Sequence, residues 1–229
     1  DIKLADNWRA KLETYYQSIS DVPVEPMPSS FSTLNVGADF VFPDDKFNLV
    51  NEGTGYNTGI ELTLEKFFSE GYYGLLTASV FDSKYEGSDG VERNTAFNNG
   101  YVVNLLFGKE WKIGKDKRNA FTIDTRLVNA GGRYYTPVDL AASQAAGREI
   151  LNEQEAFSLQ YDPYFRWDLK FGFQLNSAKR KLSHQFYFDI QNVTNNENIF
   201  VRRYNRVTNE VNAVNQLGFF PDFMYRIQF

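Results

Sequence analysis

Cysteine is absent from the 229 residues, which excludes a disulfide framework, a thiolate metal site and a cysteine nucleophile. Histidine occurs once, at His184, so a histidine-rich metal site is excluded and any imidazole catalysis rests on that residue. Basic charge is not in excess: 24 Lys and Arg stand against 29 Asp and Glu, a formal charge of −5 with a pI near 5.1. Without a basic surplus to neutralise phosphates, nucleic acid is excluded as the main partner. No apolar run approaches the roughly 18 residues of a membrane-spanning helix. The longest, Tyr72–Phe81 and Tyr101–Phe107, are short and interrupted. The opening DIKLADNWRA lacks the basic and apolar regions of a signal peptide, so the expectation is a mature chain or a fragment.

Aromatic residues are abundant, with 21 Phe, 14 Tyr and 3 Trp. Such rings suit pleated surfaces and membrane interfaces, and 21 Asn with 16 Gly supply turns. The arrangement has period 2. Phe165, Trp167, Leu169, Phe171, Phe173 and Leu175 alternate with Arg166, Asp168, Lys170, Gly172 and Gln174. Phe121, Ile123 and Leu127 alternate with Thr122, Asp124 and Arg126. Within Tyr56–Phe68, Ile60, Leu62 and Leu64 oppose Glu61, Thr63 and Glu65. Gln185–Gln191 alternates in the same way, and weaker versions run through Trp8–Ile19, Tyr72–Phe81 and Tyr101–Trp111. The last candidate strand sets Phe223, Tyr225, Ile227 and Phe229 against Met224, Arg226 and Gln228. A helical period would scatter these side chains around the axis, so the expectation is eight strands. Pro221 cannot donate to a ladder, which predicts either a bulge there or a strand beginning at Asp222. Only Leu140–Leu151, rich in Ala, predicts a short helix, within a loop.

The connections alternate in length. Ser69–Gly71, Lys112–Arg118 and Asn176–Lys181 are short, whereas Ser20–Gly55, Ser83–Asn99, Gly132–Asp162 and Thr194–Gln216 are long. A soluble two-layer β fold accounts for the alternation but gives no reason for this rhythm. An antiparallel transmembrane β-barrel does, with short turns on the periplasmic side and long loops outside. The charged alternates then point to a wet interior and the apolar set to lipid.

The stretches GTGYNTGIELTLEKFFSEGYYGLLTASVFDSKYEG (53–87), RNTAFNNGYVVNLLFGKEW (93–111), NAGGRYYTPVD (129–139), QNVTNNENIF (191–200) and LGFFPDFMYRIQF (217–229) add a resemblance. Together they resemble the C-terminal barrel portion of TonB-dependent outer-membrane receptors of Gram-negative bacteria. The resemblance implies an all-β fold in which residues 1–229 are the C-terminal segment of a larger barrel of about 22 strands. It implies a location in the outer membrane and import of a bound nutrient such as a siderophore, cobalamin, a glycan or a peptide. The partners implied are outer-membrane lipid, the barrel-assembly machinery and TonB, the last through an N-terminal region with a plug domain that this chain does not show. No enzyme activity and no cofactor are expected. A complete eight-stranded barrel with a structural or adhesive role is the alternative, and a barrel enzyme at the outer leaflet is a third.

The resemblance also assigns Phe223, Tyr225, Ile227 and Phe229 a role as a barrel-assembly signal, beside the plainer reading that they line the lipid face. In GGRYYTP (131–137), Arg133, Tyr134 and Tyr135 are candidates for gripping a polar or anionic ligand, or alternatively an aromatic belt with an interfacial arginine. His184 shares parity with Phe186 and Phe188, as an interfacial residue would, while Ser183 points to the other face. DSKYEG (82–87) fails as an EF-hand because Lys84 stands where an oxygen ligand is required. Loop carboxylates such as Asp44 and Asp45, or Asp82 and Asp89, fit surface calcium or plain solvation.

An assembly role for the last residue is open to a direct test. Phe229→Ser should lower the amount of protein reaching the outer membrane by more than the loss of one ring, worth about 1–3 kcal/mol of burial, accounts for. The purified variant should still refold in detergent, and Phe223→Ser serves as the control on the same face. Normal assembly of Phe229→Ser in cells would leave Phe229 as a lipid-facing residue only.

Overall fold

The eight alternating segments form one antiparallel sheet in which strands adjacent in sequence are adjacent in space. The structure, a computed structural model, describes residues 1–38, 48–179 and 181–229. In chain order the elements are β1 (Ile2–Ala5), β2 (Trp8–Val24), β3 (Val50–Ser69), β4 (Tyr72–Glu86), β5 (Glu92–Asn94), β6 (Tyr101–Ile113), β7 (Asn119–Ala130), β8 (Tyr134–Tyr135), α1 (Leu140–Ala146), β9 (Leu159–Gln160), β10 (Tyr164–Asn176), β11 (Ser183–Gln191), β12 (Ile199–Asn205), β13 (Glu210–Asn215) and β14 (Phe220–Gln228). The main sheet runs β1-β2-β3-β4-β6-β7-β10-β11-β14, with β5 attached to β4, and its two edges are open. The hairpins β8–β9 and β12–β13 stand off it, inside the long connections.

Several details differ from the sequence reading. Pro221 neither bulges the last strand nor delays it. It pairs with Ile190 in an unbroken register from Gln191–Phe220 to Ser183–Gln228, which an edge strand tolerates because one side of its backbone has no ladder to complete. The helix over 140–151 stops at Ala146, capped by Asp139, whose carboxylate accepts from Ala142 N–H, and ended by Gly147 in the left-handed region. The strand β2 continues past Ile19 to Val24 through a register shift around Asp21, which itself has φ +58°. β1, β5, β8, β9, β12 and β13 were absent from the expectation, being too short or too irregular to show a period.

Register turns the alternation of each strand into rows that cross the sheet. On one face Leu64, Leu76, Leu105, Leu127 and Trp167 lie side by side on five successive strands. Nearer the short turns, Trp111, Phe121, Phe173, Phe186 and Tyr225 do the same. Their rings touch, with centroids 5.7 Å apart for Trp111–Phe121, 4.8 Å for Phe121–Phe173 and 5.0 Å for Phe186–Tyr225. This apolar face is uncovered: Leu12, Ile60, Val80 and Phe173 are 66, 54, 65 and 48% exposed. The chain as a whole exposes 14322 Å², against roughly 10,600 Å² for a globular monomer of its 26.4 kDa.

The opposite face is polar and pairs with itself. Arg9 bridges Glu65 at 2.9 Å across β2 and β3, Tyr73 Oη donates to Asp124 at 2.8 Å, and Arg166 Nε donates to Asp168 at 2.7 Å. Lys170 lies 4.6 Å from the centre of the Tyr187 ring.

Burial concentrates instead where the long connections meet. Val22, Val24, Tyr85, Ala96, Ala130, Ala156, Tyr161, Val201 and Tyr204 are buried, all at that end of the sheet or in the loops above it. Asparagine locks this region. Asn192, 1% exposed and at φ +51°, donates its side-chain N–H groups to the carbonyls of Asn196 and Leu217. Its own backbone N–H reaches Asp168 Oδ1, while Asn198 Nδ2 donates to the Phe165 carbonyl.

Packing this tight has a testable consequence. A Cβ at Gly132 would lie 1.7 Å from the Tyr161 carbonyl oxygen, a backbone atom that cannot rotate away. Gly132→Ala should therefore destabilise the refolded chain by more than the ordinary 1–3 kcal/mol or so of core overpacking. At Gly90, where φ is +67° and the space is open, alanine should cost only about 1–2 kcal/mol of backbone strain. Denaturant midpoints for the two variants give the comparison.

Candidate functional site

Three long connections converge above β3 and β4 and line a cavity of about 820 Å³ that is open to its surroundings. Segment 25–36 after β2, segment 89–93 around β5, and Thr136 with 151–157 in the β7–β10 connection line it. The first segment runs PSSFS (28–32), whose hydroxyls bond locally and turn the chain instead of extending it. Ser32 Oγ accepts from Leu34 N–H and Ser29 Oγ accepts from Phe31 N–H.

Cross-links hold the three segments together. Tyr85 Oη donates to the Ser30 carbonyl at 2.9 Å, and its ring meets Phe157 edge-on at 5.8 Å. Ser30 Oγ donates to Glu153 at 2.7 Å, Ser88 Oγ accepts from Ser29 N–H, and Asn35 Oδ1 accepts from Ala96 N–H at 2.8 Å. Thr136 Oγ1 accepts from Phe157 N–H, joining the third segment to its own start. On the wall, Arg93 donates twice to Asp89, at 2.9 and 2.7 Å. That fork holds the Asp89 carboxyl below the usual carboxylate range and lifts the Arg93 guanidinium above its own.

Arg133 occupies a junction near this site. Its guanidinium donates to the carbonyls of Ala38, at 2.6 Å, and Phe200, at 2.7 Å, tying the first long connection to β12. Tyr135 stacks on Tyr161 at 4.1 Å with planes 9° apart, and Tyr134 pairs with Gln160 in the short β8–β9 ladder. None of the three lines this cavity, whereas Arg133 lines a separate, smaller one of about 130 Å³ with Asn99, Tyr161 and Tyr164.

Phe223, Tyr225 and Ile227 project from β14 on the apolar face, 63, 49 and 46% exposed, and Phe229 lies just past its end at 96%. His184 sits on the same face at the short-turn end, its Nδ1 2.7 Å from Tyr225 Oη and its ring stacked on Tyr225. Of the loop carboxylates, Asp82 accepts from Asn98 Nδ2 at 2.6 Å and Asp89 from Arg93. Asp44 and Asp45 lie outside the described residues.

Sequence reasoning missed the cavity. Its residues come from segments far apart in the chain, and of them the sequence reading had singled out only Asp89, as a loop carboxylate.

The Asp89–Arg93 fork predicts a pH dependence. Because the folded Asp89 carboxyl is lowered, its contribution is complete above the unfolded value of about 3.9 and is lost as pH falls below that through the depressed folded value. Arg93→Ala should cost about 1.5–3 kcal/mol at pH 7, as expected for a charged hydrogen-bonded pair whose side chains are 11 and 21% exposed. The gap between variant and parent in urea titrations should narrow at pH 3. Comparison with family models, with curated proteins and with solved structures finds no match, so a functional reading of this chain draws on its own geometry and sequence.

Proposed function

We propose that this chain is the barrel portion of an outer-membrane receptor of the TonB-dependent type, which binds a nutrient at its loops and imports it. The observation that carries the reading is the uncovered apolar face: among the described residues nothing lies over Leu12, Ile60, Val80 and Phe173, while charged residues are collected on the opposite face, where Arg9 meets Glu65 and Arg166 meets Asp168. A soluble two-layer fold would bury the first set and solvate the second. Lipid is the solvent in which this arrangement is stable.

The aromatic rows give the apolar band a height. Trp111, Phe121, Phe173 and Tyr225 mark the short-turn side, and Tyr101, Phe165 and the stacked pair Tyr16–Tyr56 mark the other. The two levels are about eight to ten residues apart along a strand, roughly 27–34 Å at about 3.4 Å per residue. Tilted by about 40°, such strands span roughly 21–26 Å, the height of an outer-membrane apolar band. The open edges at β1 and β14 leave ladder groups for further strands, as a larger closed barrel requires. Short turns then face the periplasm, the long connections face outside, and the cavity between them faces the medium that supplies the ligand. TonB engages through a region preceding these residues.

Two substitutions test the facing. Leu169→Arg places a charge mid-strand on the apolar face and should cost about 2–4 kcal/mol for the refolded protein in lipid vesicles. Lys170→Leu, one residue away on the polar face, should cost clearly less. Equal losses in denaturant titration would remove the membrane assignment.

A further inference from the structure

We propose that a basic patch at the short-turn end of the sheet binds the headgroups of anionic phospholipids in the leaflet on that side. The assignment deepens the receptor reading above and rests on it, since that reading sets the apolar face in lipid. Charge divides along the strands. Residues 109–118 and 177–182 carry eight Lys and Arg against two acidic residues. The long connections 20–55, 83–99, 132–162 and 194–216 carry 16 acidic residues against eight basic ones. In a chain of net charge −5, positive charge thus gathers at one end. The two basic turns are neighbours, because β6, β7, β10 and β11 are consecutive in the sheet. Asn176 ties them together: its backbone N–H donates to Asn119 Oδ1 at 2.9 Å and its side chain to the Arg118 carbonyl.

The pairs already made decide which groups can meet a ligand. Lys112 is bridged to Glu110 and Arg118 to Asp116. Among the described residues no carboxylate pairs with Lys115, Lys117, Lys179 or Lys181, and all four are exposed. Lys115 and Lys117 each stand four residues from a ring of the aromatic row, Trp111 and Phe121, so their ammonium groups fall just outside the apolar band, where headgroups lie. Two further cations stand on the apolar face itself, at its short-turn margin. Lys109 is in register with Tyr72 and Lys66 with Gly74, and their Nζ atoms lie 4.9 and 4.0 Å from the centre of the Tyr72 ring. Lys66 spends its donors on Ser69 and the Phe67 carbonyl, whereas Lys109 gives one to the Glu70 carbonyl and keeps others for a phosphate oxygen. An acidic protein docked on the turns would not reach a lysine on the lipid side of the sheet. A phospholipid whose chains lie along that side brings its phosphate to Lys109 and to the turn lysines alike.

The full chain refolded into phosphatidylcholine vesicles tests this with Trp111 as reporter, Trp8→Phe and Trp167→Phe being present in every preparation. A lipid brominated on its acyl chains quenches a tryptophan it touches, so brominated phosphatidylglycerol is compared with brominated phosphatidylcholine. A preference of about tenfold for phosphatidylglycerol is expected at low salt, falling towards equality near 1 M salt. Lys115→Gln, Lys117→Gln, Lys179→Gln and Lys181→Gln together should bring the preference to within about twofold of equality. Arg148→Gln with Arg206→Gln, at the long-connection end, should leave it unchanged. All six native side chains are exposed, so the variants should keep the parent's denaturation midpoint. Equal quenching by the two lipids, a preference that survives the four turn substitutions, or one lost equally in the control pair would overturn the headgroup assignment and leave the membrane reading standing. Retention on immobilised polyglutamate through the same lysines, without a lipid preference, would make the patch a protein-docking surface instead. Absence of quenching by either lipid would sink the receptor reading, and this proposal with it.

Discussion

Among the described residues nothing covers the apolar side of this sheet, and that constraint shapes the rest of the structure. Leucine and phenylalanine rows cross up to five strands with no second layer above them, and each buried apolar Å² that water denies them would be worth about 25 cal/mol. Monomers in water seldom expose contiguous apolar patches larger than a few hundred Å². On the receptor reading proposed above, lipid is the phase that covers these rows. The polar side has no such need: Arg9 with Glu65, Tyr73 with Asp124, and Arg166 with Asp168 meet their partners within the sheet.

Because neither face of the sheet makes a core, the chain builds one in its loops. The buried tyrosines Tyr85, Tyr161 and Tyr204 and the buried asparagines Asn98, Asn192 and Asn198 lie there: Tyr85, Asn192 and Asn198 donate to backbone carbonyls, Tyr161 Oη accepts from Arg202 N–H, and Tyr204 and Asn98 donate to side-chain oxygens. Polar residues suit this role better than aliphatic ones. Loops leave many N–H and C=O groups outside ladders, and each buried one left unpaired costs about 1–3 kcal/mol. Arg133 illustrates the principle: a residue of ligand-gripping chemistry spends two donors on the carbonyls of Ala38 and Phe200. The rigidity this creates is what makes the cavity above β3 and β4 a preformed space.

How much was legible in advance varied with the physical range of each interaction. Alternation is a local property, and it placed all eight long strands and, in the clearly alternating ones, which residues share a face, down to His184 beside Phe186. The Ala-rich run likewise marked the helix, since propensity is local, but the expected end at Leu151 overran the left-handed stop at Gly147. Pro221 was misjudged because its effect depends on having no strand on its far side, which is a fact about neighbours. Arg133 and Tyr135 were picked out by residue type, while their partners, Ala38, Phe200 and Tyr161, are too distant in sequence for type alone to suggest.

By itself the sequence determined the strands, their two chemically opposite faces and the rhythm of short and long connections, because backbone geometry imposes period 2 on every strand. Only the tertiary structure decided the register that aligns the aromatic rows, the open edges at β1 and β14, the hairpins inside the connections and the cavity the loops line. These arise from contacts such as Ser30 with Glu153, 123 residues apart, and a contact of that range is set by the whole fold, not by the residues beside it in the chain.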